Sequence, residues 1–243
     1  AGNDTSLGGD GNDNHWDWDG DDSQSGGPGN DYFDGGPGND TQDGGEGVDF
    51  LSFFGATSGV NVSLAVAGPQ SVGGGYGTDV FYNMENLQGG SYGDTLAGDA
   101  GSNFLVGLAG DDLLQLGDGD DSADAGPGND TVEGGSGDDF LNGRAGNDSL
   151  SGGDGADYVR GSEGNDTVDG GAGYDRAAFY VVDTDTHTGA NVSLALQGQV
   201  QNTGHGNDVL TNFEHLSGTQ YADTLVGDDG DNWIWGVEGS GDS

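Results

Sequence analysis

The chain has 243 residues, of which 44 are Asp or Glu and three are Lys or Arg, giving a formal net charge of −41. This charge argues against binding to nucleic acid or to an anionic membrane surface, since both need a basic face. The absence of Cys excludes disulfides and thiolate metal sites, and no apolar run approaches the ~18 residues that cross a membrane.

A nine-residue period organises the first segment, residues 1–52. From Gly8 onward the copies read GGDGNDNHW, DWDGDDSQS, GGPGNDYFD, GGPGNDTQD and GGEGVDFLS. Glycine stands at the fourth place, and the sixth place is always Asp: Asp4, Asp13, Asp22, Asp31, Asp40 and Asp49. The eighth place is apolar at Phe33 and Leu51 but otherwise polar, with Ser6, His15, Gln24 and Gln42. Because buried polar groups need partners, we expect this run to be the less stable part of the chain.

Two irregular segments, residues 53–88 and 179–217, resemble each other. The sequence GVNVSLA at 59–65 matches GANVSLA at 189–195, and NMENLQGGSYGDTL at 83–96 matches NFEHLSGTQYADTL at 212–225. Each segment contains one copy out of phase, with Asp79 or Asp208 at its sixth place. The array therefore contains a duplicated unit of about 129 residues, and we expect each irregular segment to form plain β-coils held by apolar packing.

The second run, residues 89–178, holds ten consecutive copies, and a short third run occupies 218–243. Their sixth places carry Asp94, Asp112, Asp121, Asp130, Asp139, Asp148, Asp157, Asp166, Asp175 and Asp223. Asn103 and Asn232 replace Asp at two sixth places. The eighth places of the second run are all apolar, which predicts a regular buried core there.

The pattern G-G-x-G-x-D-x-U-x, with U apolar, resembles the calcium-binding nonapeptide of the repeats-in-toxin (RTX) family. The resemblance covers nearly the whole chain, and segments of the ENLxG type also recur in large bacterial RTX proteins. It implies an all-β fold, a parallel β-roll or β-solenoid with calcium-binding turns and essentially no helix. It also implies a bacterial protein that leaves the cell by type I secretion and folds on calcium outside it. The chain is then one continuous solenoid, with RTX runs at 1–52, 89–178 and 218–243 separated by the two non-RTX segments.

The repeat has a physical reading that agrees with this family. Six glycine-rich residues suit a turn, and the last three suit a short strand whose central residue points inward. Two nonapeptides would form one coil, and stacked coils would gather the eighth-place residues into a thin core between two sheets. A chain with only 30% hydrophobic residues can bury a core in this way.

Stacked coils would bring the sixth-place Asp residues to about 4.8 Å from one another, the spacing of strands in a sheet. Two carboxylates at that distance repel by about 0.9 kcal/mol in water, and by about 3.5 kcal/mol at an effective dielectric constant of 20. A divalent cation between turns would reverse this repulsion, and oxygen ligands with flexible geometry favour Ca²⁺ over Mg²⁺. The eighteen sixth-place Asp residues are therefore the candidate ligands of multiple calcium ions, and calcium at Asn103 and Asn232 should be weaker or absent.

Exposed aromatic residues are the candidate contacts with other proteins. Trp16 and Trp18, and Trp233 and Trp235, have i, i+2 spacing, and Ile234 is the inward residue of its copy, so its Trp neighbours should face outward. Residue 1 falls in mid-repeat, and the last residues read EGSGDS. We therefore expect either a larger parent protein or open solenoid ends that stack on other copies of the chain or on a neighbouring domain.

No motif in the sequence predicts an enzyme. HExxH does not occur, and His15, His187, His205 and His215 have no spacing typical of a shared metal. GGSYG at 89–93 matches G-x-S-x-G, but its Ser91 lies within a repeat copy rather than at a strand-to-helix turn. We expect an extracellular, non-catalytic folding and secretion module of a larger secreted bacterial protein. The alternative is a self-assembling surface-layer, adhesin or filament subunit at the cell surface.

Overall fold

A computed structural model describes residues 2–16, 19–179 and 189–236. Within these residues the chain forms 26 β-strands and one 3-10 turn, Leu194–Leu196, with no α-helix. No helix in these ranges has the length and apolar character that crossing a bilayer requires. The predicted all-β solenoid with parallel strands is confirmed, because nearly all strand pairs are parallel.

The strands are short, and most of them end a nonapeptide copy. The first half of the chain contains β1 Thr5–Leu7, β2 Asn14–Trp16, β3 Ser23–Pro28, β4 Tyr32–Asp34, β5 Thr41–Glu46, β6 Phe50–Ser52, β7 Asn61–Ser63, β8 Gln70–Ser71, β9 Thr78–Tyr82, β10 Asn86–Gln88, β11 Thr95–Ala97, β12 Phe104–Val106 and β13 Leu113–Asp118. The second half contains β14 Ser122–Pro127, β15 Thr131–Ser136, β16 Phe140–Ala145, β17 Ser149–Gly155, β18 Tyr158–Arg160, β19 Thr167–Gly173, β20 Arg176–Ala178, β21 Asn191–Ser193, β22 Val200–Asn202, β23 Asn207–Thr211, β24 His215–Ser217, β25 Thr224–Val226 and β26 Trp233–Trp235.

Successive strands lie on opposite faces of the solenoid. In the described part of the chain, the even-numbered strands β2 to β20 except β8, together with β24 and β26, form one 11-stranded sheet. The opposite face holds a five-stranded sheet from β1 to β9 and an eight-stranded sheet that begins at β7. Neighbouring strands within the runs pair in register 18 residues apart, as Leu96 pairs with Leu114. Two nonapeptides therefore make one coil.

The core lies between the two faces and consists of the eighth-place residues. Leu96, Leu105, Leu114 and Leu141 have no exposed surface. Each coil adds two such inward side chains, and each packs beneath its equivalent in the next coil. A residue on a strand that faces inward has neighbours on either side pointing outward, which explains why the runs alternate between apolar and polar residues.

The segment at 53–88 adds strands that plain coils would not contain. β7 pairs in parallel with β11, whereas β8 runs antiparallel to β9, and β9 lies beside β5. The out-of-phase copy causes this path, because the chain must fold back to place β9 next to β5. The duplicated segment repeats the pattern, with β21 on β25 and an antiparallel pair of β22 and β23.

The first run buries polar side chains that bond to each other. The Ser6 hydroxyl lies 2.7 Å from His15 Nδ1, and Gln42 Nε2 donates to Gln24 Oε1 at 3.1 Å. The His15 ring also stacks on Phe33, with ring centroids 4.8 Å apart. These contacts satisfy part of the hydrogen-bonding need that the polar eighth places create inside the solenoid.

Candidate metal centre

The sixth-place carboxylates are the buried acidic groups of this protein. Sixteen of the eighteen are less than 9% exposed, and every Asp that is buried in the described chain occupies a sixth place. Asp13 is half-buried and Asp4 is exposed. The only ion pair within the described residues joins Arg144 to Asp124, which is not a sixth-place residue. The buried carboxylates therefore have no cationic side chain to neutralise them.

One oxygen of each ladder carboxylate is used within the protein. The backbone N–H of Asp121 donates to Asp139 Oδ1 at 2.9 Å, and the N–H of Asp139 donates to Asp157 Oδ1 at 2.9 Å. The same link repeats along both sides of the roll, through 4–22–40–79, 13–31–49, 94–112–130–148–166–208 and 121–139–157–175. The out-of-phase residues Asp79 and Asp208 thus belong to the same ladders.

The second oxygen of these carboxylates has no protein donor at eleven positions. Oδ2 is buried without a hydrogen-bond partner in Asp13, Asp31, Asp49, Asp112, Asp121, Asp130, Asp139, Asp148, Asp157, Asp166 and Asp175. A buried polar oxygen without a partner typically costs about 1–3 kcal/mol, and more when it is charged. Eleven such atoms on two regular ladders indicate a missing positive group rather than chance.

The first-place glycine leaves room for that group. A β-carbon on Gly134 would overlap both Asp139 Oδ2 and the carbonyl oxygen of Gly152, one coil further along. The same arrangement recurs at Gly143, where a β-carbon would overlap Asp148 Oδ2 and the carbonyl of Gly161. Each turn therefore gathers a free carboxylate oxygen and a backbone carbonyl oxygen around a space that only glycine leaves open.

Burial makes these carboxylates hard to ionise when no cation is present. Desolvation raises the pKa of Asp112, Asp139 and Asp148 to about 7, against the backbone hydrogen bond that lowers it. The same cause raises the pKa of Asp79 to about 7 and that of Asp130, Asp166 and Asp175 to about 6. The pKa of each group shows that the protein alone does not stabilise its charged form.

Three predicted ligands differ from the others, because protein donors occupy both of their oxygens. Asp94 Oδ2 accepts the N–H of Gly90 at 2.6 Å. Asp223 Oδ2 accepts the N–H of Thr219 at 2.8 Å, and Asp208 Oδ2 accepts the hydroxyl of Thr203. These carboxylates have less capacity left for a cation than the eleven with a free Oδ2.

Two glutamates and two asparagines, which the nine-residue period does not include or marks as deviations, interrupt the ladders. Glu85 Oε2 accepts the N–H of Asp49 at 2.7 Å, and 129 positions later Glu214 Oε2 accepts the N–H of Asp175 at 2.9 Å. In the next coil, Asn103 Nδ2 donates to the carbonyl of Glu85 at 2.9 Å, and Asn232 Nδ2 donates to that of Glu214 at 3.1 Å. An amide NH₂ thus bonds a backbone carbonyl where the other coils leave an oxygen free.

Side chains alone do not complete a metal site here. Across the described residues, no three His, Cys, Asp or Glu side chains converge on one point. A cation in these turns would therefore take most of its ligands from backbone carbonyls, as glycine-rich turns allow. His187 and Trp18 lie outside the described residues, while Trp16, Trp233 and Trp235 are 60%, 64% and 37% exposed.

The ladder geometry agrees with the family to which the sequence matches. A model of the RTX calcium-binding nonapeptide repeat matches residues 19–51, 88–123, 115–150, 124–159, 142–177 and 213–241, more than half of the chain. The chain belongs to the RTX calcium-binding nonapeptide repeat family. RTX repeats bind calcium, and the β-roll that they form is a structural module.

Comparisons with individual proteins add less. No curated protein sequence matches the chain. Among solved structures, the chain is similar to the extracellular lipase LipA from Serratia marcescens, with 20% identity and a TM-score of 0.28. The match covers 86% of this chain and 36% of the lipase chain, so the chain spans about a third of that protein's length.

Proposed function

We propose that this chain is an extracellular calcium-binding module that folds when calcium fills its turns, after secretion as part of a larger bacterial protein. The observation that carries the proposal is the set of eleven buried carboxylate oxygens without a partner. They lie in a chain with three cationic residues and a formal net charge of −41. The module is non-catalytic, since its acidic residues are placed as ligands rather than as a tuned acid and base.

Calcium fits these turns better than other common ions. The available donors are carboxylate and carbonyl oxygens, which suit hard cations. Ca²⁺ accepts six to eight oxygens in flexible geometry, whereas Mg²⁺ requires a tight octahedron and keeps its waters. The eleven Asp residues with a free Oδ2 would hold the ions, and their first-place glycines would make room for them. Asp94, Asp208 and Asp223 would serve mainly as hydrogen-bond acceptors.

Binding and folding are coupled in this proposal because the ligands of each ion come from successive coils. A site at ten times its dissociation constant of free calcium contributes about 1.4 kcal/mol to the folded state. Extracellular calcium modules typically bind at about 10⁻⁴–10⁻³ M, so several such sites fold the chain in millimolar calcium but not in the cytosol. The protein would then pass through a secretion channel unfolded and become rigid outside.

The test is a calcium titration of the metal-free chain, followed by far-UV circular dichroism, with magnesium as the ionic control. We expect the β signal to appear cooperatively with calcium and to disappear with a chelator, while equal magnesium produces little change. Asp139→Asn should raise the calcium midpoint and lower the stoichiometry locally, because the amide cannot replace Oδ2. Asp138→Asn is the matched control, since Asp138 is exposed in the same turn. Full β structure without calcium would refute the proposal.

One observation favours the alternative function, a self-assembling surface subunit. Ile234 shares the register of the buried Leu216 but is 42% exposed, and Trp233 beside it is 64% exposed. An apolar strand of this kind can pack against another copy. Sedimentation velocity in saturating calcium would decide: concentration-dependent assembly that Trp233→Ser weakens supports the subunit, and a monomer at all concentrations contradicts it.

A further inference from the structure

A cavity of about 590 Å³ opens on the outer face of the 11-stranded sheet, away from the calcium turns. Its walls include Phe54, Leu108, Pro127, Arg144, Arg160 and Ser162. The lining is mainly apolar with a few polar groups, and the volume falls in the range of small-molecule sites, about 300–1,000 Å³. The proposed calcium function makes no use of this cavity.

The cavity holds two of the three cationic residues of the chain. Arg144 forms a bidentate ion pair with Asp124, at 2.6 and 2.8 Å. Arg160 is different: it is 8% exposed, its Nε is buried without a hydrogen-bond partner, and its printed contacts are with aromatic rings. Its guanidinium carbon lies 5.7 Å from the ring centroid of Phe140 and 5.9 Å from that of Tyr158. The aromatic rings therefore hold a buried cation that has no anionic partner among the described residues.

The backbone around the cavity is strained in order to place side chains there. The second place of the repeat is normally glycine with positive φ, as at Gly126, where φ is +109°. In the neighbouring coils Leu108, Arg144 and Ser162 occupy this place with φ of +75°, +75° and +76°. Residues other than glycine rarely adopt this region, and bulky ones are strained in it. Three strained residues on the wall of one cavity indicate that their side chains serve a purpose there.

We propose that this cavity binds a small aromatic or alkyl carboxylate, with the carboxylate on Arg160 and the apolar body against Phe54, Leu108 and Pro127. Arginine presents paired donors that match a carboxylate, and such charge-assisted bonds are strong in a partly buried site. The Asp124 carboxylate is neutralised by Arg144, and Glu163 is exposed at the edge of the cavity. Elsewhere the chain's net charge repels anions, so anion binding should be confined to this place.

The experiment measures binding of 2-naphthoate to the full chain in saturating calcium by isothermal titration calorimetry, at physiological salt. Its cationic counterpart, 2-naphthylmethylammonium, tests the charge. We expect 2-naphthoate to bind at one site per chain and the ammonium compound to bind more weakly, against the direction that the net charge favours. No binding of 2-naphthoate, or tighter binding of the ammonium compound, would overturn the proposal.

Arg160→Gln should weaken 2-naphthoate binding roughly tenfold or more, because a charge-assisted hydrogen bond is lost. Arg176→Gln is the matched control: Arg176 stacks 4.0 Å from the Trp235 ring centroid and does not line the cavity. Leu108→Gly separates binding from folding, since glycine relieves the strain at φ +75° while removing part of the apolar wall. It should keep the circular dichroism signal and lose affinity. Unchanged affinity in both Arg160→Gln and Leu108→Gly would refute the site.

Discussion

The sixth-place Asp performs two tasks with its two oxygens. In Asp139, Oδ1 orders the preceding coil through the N–H of Asp121, and Oδ2 is left without a donor. Asn can perform the first task but not the second, because its amide nitrogen is a donor. The natural Asn103 shows this substitution within the chain, with Nδ2 bonded to the carbonyl of Glu85.

Asn103→Asp should therefore create a calcium site where the ladder is now closed. Without calcium, the new carboxylate oxygen would face the Glu85 carbonyl and destabilise the fold; with calcium, an ion would join them. We expect the stoichiometry from calorimetric titration to rise by about one ion per chain. Asn12→Asp adds the same charge at an exposed fifth place and should leave the stoichiometry unchanged. An Asn103→Asp chain that binds no additional calcium would contradict this assignment.

Protonation can replace calcium as the neutralising agent. The pKa of Asp112, Asp139 and Asp148 is raised from 3.8 to about 7 in the fold without calcium. A raised carboxyl pKa favours the fold fully below pH 3.8, and this stability is lost as the pH rises through about 7. The metal-free chain should therefore show more β signal in circular dichroism at pH 5 than at pH 8. Identical metal-free spectra at the two pH values would show that these carboxyls do not control folding.

At the scale of the element, each strand contributes one inward side chain, so single core residues carry much of the packing. Leu114 has no exposed surface and stacks between Leu96 and Val132. Leu114→Ala should lower the free energy of unfolding by about 2–5 kcal/mol. Leu113→Ala, on the outer side of the same strand, should cost less than about 1 kcal/mol. Denaturant unfolding in saturating calcium measures both, and equal losses would argue against the inward assignment of Leu114.

The regular elements could be predicted from the sequence because their contacts repeat with the sequence. Coils 18 residues apart carry the same residue types, so the sixth-place Asp and the eighth-place Leu define turn, strand and face together. The out-of-phase Asp79 was found in the same way, since its copy keeps the glycine and Asp places. The identification of individual ligands remains a prediction for the experiments above.

Other features depend on contacts that have no fixed period. The folded-back path of β8 and the saturation of Asp94 by Gly90 arise from one local arrangement each. The role of Glu85 as a ladder end was visible only as a similarity between the two ENLxG-type segments. The cavity around Arg160 depends on which side chains share a face, and the nonapeptide pattern leaves those places unspecified.

The whole molecule should change its dimensions with calcium. A disordered chain of 243 residues has an expected radius of gyration of about 54 Å, and charge repulsion would extend it further. Eleven strands at 4.8 Å spacing give a rod about 50 Å long, with a radius of gyration near 20 Å. Small-angle X-ray scattering should follow this contraction when calcium is added. A metal-free chain that is already compact would contradict the picture of an expanded polyanion.

The links of the ladder all point the same way, from the N–H of one coil to the carboxylate of the next. Any cross-section through the stack therefore leaves two unlike surfaces, one bearing neutral donors and the other bearing anions. Peeling coils from the anionic side exposes charge to water, which solvates it, while peeling from the other side uncovers uncharged amides. Such a stack has a polarity, and its disassembly should begin preferentially at one end.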